Sequence, residues 1–189
     1  MSSELLRLAE VMNRLRSPGG CPWDAEQTHQ SLLKYLLEES YEFVDSVDED
    51  DRTAMREELG DILLQVYFHS RIAQEHPTDP FDIEEVAKGI ADKLIRRHPH
   101  VFGDQEINSS EELKENWERL KAQEKGRKSA TDGVALSQPA VALITKLIYR
   151  AEKAGIKLDL PETFKFESNS NGSSQNSIES RDRKSTRLN

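Results

Sequence analysis

The sequence lacks several residue types and patterns, and each absence excludes a class of protein. It has one cysteine, Cys21, so no internal disulfide can form, which is typical of a protein from a reducing compartment. No apolar run approaches the roughly 20 residues that a helix needs to cross a bilayer. The N-terminus also lacks the basic segment and apolar core of a signal peptide. These absences predict a cytoplasmic protein that does not associate with membranes.

Positive charge is scarce as well. The chain has 26 Lys and Arg residues against 35 Asp and Glu residues, which gives a formal net charge of −9. Because this surface field repels phosphate backbones, we expect no nucleic-acid partner. A smaller polyanion could still bind at a local site where a metal ion and basic side chains reverse the sign.

Alternation of apolar and polar residues, the pattern of half-buried strands, is absent too. Apolar residues recur instead at helical spacing, so we predict an all-α chain. We predict no helix for residues 21–28, whereas Asp82 and Glu85 have the spacing of a capping box at a helix start. The predicted helices cover residues 4–16, 32–47 and 53–75, a segment after Asp82, a segment from Ser109 or Ser110, and residues 140–154.

The predicted helices at 32–47 and 53–75 differ in their apolar patterns. The second is apolar on nearly every side, so we expect other helices to enclose it. A short acidic turn between them would make the two helices antiparallel. The first has an apolar stripe opposite its acidic residues, formed by Leu33, Leu37, Ser40 and Val44.

Two acidic clusters lie on these helices, Glu38-Glu39-x-x-Glu42 and Glu58-x-x-Asp61. Carboxylates three residues apart share a helix face, and antiparallel helices would bring the two clusters around one cavity. Because like charges repel, a shared divalent cation is the natural explanation. Oxygen-only donors suit Mg²⁺, with Mn²⁺ as a substitute. The alternative is an ordinary solvated acidic surface, which is the usual state of one such motif alone.

Three basic residues, Lys93, Arg96 and Arg97, lie close together near the end of a predicted helix. Taken alone, they would be explained by compensation of the helix dipole. Beside a divalent cation they would also suit a clamp for phosphate oxygens. Trp23 and Trp117 are either ordinary, partly buried aromatics or, in one case, a surface for stacking a nucleobase.

Several segments, taken together and in order, match one family. They are Cys21-Pro22-Trp23-Asp24-x-Glu26-Gln27-Thr28-His29, the two acidic clusters, residues 92–102 and Trp117-Glu118. Over about residues 5–160 the chain therefore resembles the MazG nucleoside triphosphate pyrophosphohydrolases. The resemblance implies an antiparallel helical bundle of the MazG type, completed by homodimerisation. It also implies Mg²⁺-dependent hydrolysis of an NTP or dNTP to the monophosphate and pyrophosphate, with nucleotide-pool clean-up as the role.

The resemblance also implies a role for each candidate residue. A metal-activated water would attack the α-phosphorus, and Glu38 would assist the ligands or accept the proton. Lys93, Arg96 and Arg97 would contact phosphates, and Trp117 would lie near the nucleotide. The implied metal ligands, which with Glu38 form the catalytic set, are Glu39, Glu42, Glu58 and Asp61.

The domain prediction and two alternative functions complete the sequence analysis. We predict a catalytic helical domain at 1–125, a linker and C-terminal helix at 126–163, and a disordered tail at 164–189 that a truncation would explain. One alternative function is a helical dimerisation or binding module with a structural metal. The other is a ferritin-like di-iron carboxylate protein, although that class needs two Glu-x-x-His motifs, which the acidic clusters lack.

Overall fold

Every regular element in the described residues is an α-helix. The computed structural model describes residues 3–105, 109–125 and 129–159, and no strand occurs among them. This result confirms the prediction of an all-α chain. None of the described helices combines the length and the apolarity that a bilayer span requires. In chain order the helices are α1 (Glu4–Arg16), α2 (Pro22–Glu26), α3 (His29–Asp48), α4 (Arg52–Ala73), α5 (Ile83–Arg97), α6 (Pro99–Phe102), α7 (Ser110–Lys125) and α8 (Ala140–Lys153).

The chain divides into two compact units, Met1–Trp117 and Glu118–Asn189, with the boundary inside α7. The candidate site residues named above all belong to the first unit. The proposed domain limit at residue 125 stays a prediction, and the tail at 164–189 lies outside the described residues.

Side-chain caps fix where the helices of the first unit begin. The predicted box at the start of α5 is confirmed: the Glu85 backbone N–H donates to the Asp82 carboxylate at 2.9 Å, and the Asp82 N–H donates to the Glu85 carboxylate at 3.1 Å. Thr28 and Ser31 form the equivalent box for α3. Asp51 caps α4 by accepting from the backbone N–H groups of two following residues. Each cap satisfies backbone donors that would otherwise lack a partner.

A tight turn joins α3 and α4 into an antiparallel hairpin. Asp50 adopts a left-handed conformation there, with φ of 54°, which Asp tolerates better than most residues. The Asp51 N–H donates to the Ser46 carbonyl at 3.0 Å and closes the turn. The two helices pack along their length, so residues on their facing sides are held opposite each other.

The hydrophobic core of the first unit lies where α1 crosses this hairpin. Met12 of α1 and Leu32 of α3 are each 1 % exposed, and they pack with Tyr67 and Phe68 of α4. Burial of one such large side chain contributes about 1.5–3 kcal/mol. Ile83 packs on the edge of this core and anchors the start of α5.

Two short helices differ from the prediction. Residues 21–28, predicted as non-helical, contain α2, and the four-residue α6 was not predicted. Each helix begins with a proline, Pro22 or Pro99, whose fixed φ suits the first helical position and whose missing N–H costs nothing there. Apolar periodicity could not reveal elements of one turn.

The apolar stripe of α3 is exposed in a single chain. Leu33, Leu37 and Val44 are 43 %, 58 % and 50 % exposed, because α3 turns the adjacent row that begins at Leu32 toward the core. The expectation that other helices enclose α4 is also wrong for the described part of one chain. Its Leu59 and Val66 face solvent, because α1 and α3 cover only part of its circumference.

Candidate metal and nucleotide site

The α3–α4 hairpin brings three of the four predicted metal ligands together. One carboxylate oxygen each of Glu39, Glu58 and Asp61 lies within 4.8 Å of the others, and all three residues are half-buried. Glu42, the fourth, lies close enough to Glu58 for its charge to raise the pKa of Glu58. Glu38 is exposed on α3, next to Glu39 in the chain. The facing sides of two antiparallel helices thus assemble acidic residues that are 16 to 22 positions apart in the sequence.

Desolvation and mutual repulsion raise the pKa values of two carboxyl groups in this cluster. Desolvation raises the pKa of Glu39 above its ordinary value of 4.5, and the charges of Asp61, Glu42, Glu58 and Glu38 raise it further. Desolvation also raises the pKa of Glu58, followed by the charges of Glu42 and Asp61. All of these effects disfavour the ionised form. No cation of the described residues is among the groups that shift either pKa.

The donor set fits a hard divalent cation. Its oxygens are all carboxylate, and neither a thiol nor an imidazole contributes, as expected for Mg²⁺ or Mn²⁺ rather than a softer metal. A bound dication would neutralise the repulsion that, after desolvation, raises these two pKa values. Glu39, Glu58 and Asp61 would hold it directly, with Glu42 beside them.

The basic residues at the end of α5 are not brought to this cluster within the described contacts. Lys93 and Arg97 are half-buried, and Arg96 is exposed. A hydrogen bond from Lys88 lowers the pKa of Asp92 most strongly, followed by the Lys88 charge and more weakly by Arg96. A role of Lys93, Arg96 and Arg97 in holding phosphate therefore stays a prediction.

Trp117 is held at the same end of α5. Its indole N–H donates to the Arg97 carbonyl at 2.9 Å, and its ring meets His98 edge-on at 5.2 Å between centroids. The indole N–H thus satisfies a backbone carbonyl at the C-terminal end of α5. The predicted position of Trp117 near a nucleotide is not tested by these contacts.

The sequence analysis singled out Trp23 but did not predict which aromatic rings it contacts. The Trp23 ring of α2 meets the rings of Tyr35 on α3 and Phe68 on α4 edge to face. The distances between ring centroids are 6.0 Å and 6.4 Å. The signal for this residue was the unusual run Cys21-Pro22-Trp23-Asp24, but that run does not reveal which helices the tryptophan meets.

A buried arginine holds the α2 segment in place, and it was missed as well. Arg16, at the end of α1, pairs through two hydrogen bonds of 2.7 and 3.0 Å with Glu75, just after α4. It also donates to the carbonyls of Asp24 and Gln27, and its guanidinium lies over the Phe68 ring. We call this group the Arg16 clasp. Arg16 and Glu75 are 59 residues apart in the sequence, so no local sequence pattern identifies the clasp.

Comparison with known proteins places these residues in one family. Residues 27–102 match the MazG nucleotide pyrophosphohydrolase domain. An uncharacterized 26.1 kDa protein of Streptomyces cacaoi is 51 % identical over 155 residues, which make up 82 % of this chain and 63 % of that protein. The nucleoside triphosphate pyrophosphohydrolase of Mycobacterium tuberculosis is 47 % identical over 156 residues, 82 % of this chain and 47 % of that protein.

A solved structure agrees with the helical fold. The crystal structure of a mazG-related protein from Thermotoga maritima aligns with a TM-score of 0.51 at 29 % identity, covering 61 % of this chain and 97 % of that one. The chain spans only 63 % and 47 % of the two curated relatives above, so it corresponds to part of each. The matched domain contains both acidic clusters and residues 92–102. Residues 27–102 therefore match a MazG domain, and the chain as a whole is similar to these relatives over about four fifths of its length.

Proposed function

We propose that this protein is a Mg²⁺-dependent nucleoside triphosphate pyrophosphohydrolase that converts an NTP or dNTP to the monophosphate and pyrophosphate. The observation that carries the proposal is the meeting of Glu39, Glu58 and Asp61 across the hairpin, inside the matched domain. Nucleotide-pool clean-up in the cytoplasm is the role that we propose for this activity.

The carboxylates have two tasks in the proposed reaction. Glu39, Glu42, Glu58 and Asp61 hold Mg²⁺, which when bound acidifies water and offsets charge on the phosphate oxygens. Glu38, exposed beside Glu39, accepts the proton of the water that attacks the α-phosphorus. Because the pKa of Glu39 is raised in the free protein, metal and proton compete for the cluster, and activity should fall in acid.

The basic residues at the end of α5 act on the other side of the bond that breaks. Lys93, Arg96 and Arg97 bind the pyrophosphate leaving group and offset the charge that it gains. This role requires the end of α5 to approach the hairpin, either within one chain or from a second copy.

A panel of NTPs and dNTPs, assayed for monophosphate and pyrophosphate with and without Mg²⁺, tests the proposal. Asp61→Asn should lower turnover at least about a hundredfold. Asp45→Asn, an exposed change on α3 outside the cluster, should leave turnover unchanged. Retained activity in Asp61→Asn would contradict the assignment of the site.

The same panel separates the two alternative functions. A binding module with a structural metal would release no product. A di-iron carboxylate protein would require iron and oxygen instead of Mg²⁺.

We also propose that the active form is a homodimer that buries the exposed α3 stripe. Leu33, Leu37 and Val44 recur on one side of α3 and are about half exposed, so a second copy could cover them. Leu37→Glu should shift the protein toward monomer in sedimentation analysis, because a charge would have to enter the interface. A wild-type protein that sediments as a monomer would exclude the dimer.

A further inference from the structure

Two histidines meet at the open end of the α3–α4 hairpin, away from the turn at Asp50. The Nδ1 atoms of His29, the first residue of α3, and His69 of α4 lie 2.8 Å apart. Their rings are nearly parallel, with an interplanar angle of 4° and centroids 5.1 Å apart. A hydrogen bond between two ring nitrogens needs a hydrogen on one nitrogen and a lone pair on the other. The contact therefore depends on the protonation state of both rings.

The two rings differ in their access to water. His29 is exposed, whereas His69 is half-buried. The Nε2 atom of His69 is buried and has no hydrogen-bond partner among the described residues. A buried N–H group without an acceptor is unfavourable. The neutral pair avoids such a group when His69 donates from Nδ1 to His29, because the Nε2 atom of His69 then carries no hydrogen.

Every protonated form of the bonded pair places a hydrogen on this buried Nε2 atom. A protonated His29 must donate from Nδ1, so His69 accepts there and carries its own hydrogen on Nε2. A protonated His69 has hydrogens on both nitrogens and adds a charge that burial disfavours. When both rings are protonated, two donors face each other and the hydrogen bond is lost. Acid therefore opposes the contact at each step.

The electrostatic surroundings act in the same direction. Burial lowers the pKa of His69 below its ordinary value of 6.5, and the charge of His29 lowers it further. At His29 the dipole of α3 disfavours a positive charge, since this residue begins the helix. The other charged residues in the adjoining segments are Arg16, Asp24, Glu26, Lys34, Arg71 and Glu75. None of these six is among the groups that shift the pKa of His69, so none of them holds a proton there.

We propose that His29 and His69 form a pH-sensitive latch, which holds the first turn of α3 against α4 at neutral pH and releases it in acid. We call this pair the His latch. Opening gives both nitrogens of His69 to water, so the open form binds protons that the closed form excludes. The closed form therefore loses stability as the pH falls below 6.5, the ordinary pKa of histidine.

Acid should act with opposite sign on the two ends of the hairpin. Asp61 and His69 are eight residues apart, about 12 Å along α4, so the His latch is separate from the acidic cluster. Protonation of Glu39 and Glu58, whose pKa values are raised, removes repulsion near the turn. The same fall in pH releases the other end. This inference does not depend on the proposed hydrolysis, and its test needs neither Mg²⁺ nor a nucleotide.

Hydrogen exchange followed by mass spectrometry tests the His latch in the full chain at about pH 7.5 and about pH 5.5, after correction for the intrinsic pH dependence of exchange. The first turn of α3, residues 28–33, should open at least about tenfold more often at the lower pH. That factor is expected about one unit below the ordinary pKa, when one histidine takes its proton only in the open form. The turn end of the hairpin, residues 46–54, should not open more often in acid.

Three substitutions assign the response to the pair. His69→Gln removes the buried ring and should reduce the acid response to within about twofold. His29→Gln is an exposed change whose amide oxygen still accepts from a protonated His69, so the response should fall to about half or less. His76→Gln is the matched control, because His76 is an exposed histidine just beyond α4, and it should leave the response unchanged.

The outcomes decide the inference without reference to catalysis. A wild-type protein whose first α3 turn opens equally often at both pH values overturns it. So does a full acid response in His69→Gln, because another group would then release the turn. If His69→Gln does not fold, a full response in His29→Gln overturns the inference instead. Equal loosening of the turn end would mean that acid unfolds the whole hairpin, which also contradicts the latch.

Discussion

Replacement of Arg16 by Met should be among the most destabilising single changes in the first unit. The Arg16 side chain is 3 % exposed, whereas that of its partner Glu75 is 43 % exposed. Met keeps much of the apolar stem but removes the guanidinium. The change therefore removes the ion pair and leaves the carbonyls of Asp24 and Gln27 without their charged donor.

The magnitude follows from these contacts. Breaking a fully buried ion pair costs about 3–5 kcal/mol, but Glu75 retains water and Arg71, so about 2 kcal/mol is a better value here. Two carbonyls that lose a charged donor add about 1 kcal/mol in total, since water reaches them in part. The sum of about 3 kcal/mol corresponds to a fall in Tm of about 10 °C for a unit of this size.

Thermal unfolding followed by circular dichroism at about pH 7.5, where Glu75 is ionised, measures this effect. Arg7→Met is a matched control, because Arg7 pairs with Glu4 on α1 with both side chains largely exposed. That change should lower Tm by less than about 2 °C. If Arg16→Met lowered Tm no more than Arg7→Met, the clasp would have no stabilising role and the reasoning would fail.

Three further predictions concern pH, metal and helix composition. A hydrogen bond from Arg16 lowers the pKa of Glu75, so this pair should stabilise the fold above pH 4.5. The stabilisation should be lost as the pH falls through the lowered pKa. The Tm difference between wild type and Glu75→Gln should therefore shrink at acidic pH. The raised pKa values of Glu39 and Glu58 affect stability in the opposite direction, because these groups cost stability as the pH rises above 4.5. Mg²⁺ should therefore raise Tm more at about pH 7.5 than at about pH 4.5. Glu39→Gln should raise the metal-free Tm and weaken the response to Mg²⁺. A Cβ added at Gly60 would meet no atom within 4 Å, so Gly60→Ala should stabilise the fold by about 0.5–1 kcal/mol in urea unfolding, and a loss of stability would mean that something covers this position.

The acidic site was predictable because each half of it is local. Glu58 and Asp61 are three residues apart, so any helix places them on one face. The turn at Asp50 then needs only to reverse the chain for α3 and α4 to bring their faces together. The cap at Asp82 was predictable for the same reason, since a capping box spans one helical turn.

The features that the sequence did not reveal depend on contacts between distant segments. The Arg16 clasp joins residues 59 positions apart, and Trp23 meets two rings on different helices. Both Leu32 and Leu33 would complete an apolar stripe on α3, and only the position of α1 decides that Leu32 is buried. Sequence spacing defines a helix face, but it does not determine which neighbour covers that face.

The α3–α4 hairpin carries its stabilising and destabilising interactions at opposite ends. Near the turn, Glu58 and Asp61 add repulsion that stability alone would not favour. Fourteen residues after Asp61, about 21 Å along the helical rise, Glu75 binds the Arg16 clasp and ties the hairpin to α1. A clasp of this strength offsets a repulsive cluster in the metal-free protein. Because the same clasp holds the backbone beside Trp23, loss of Arg16 should weaken the fold and also loosen the α2 segment.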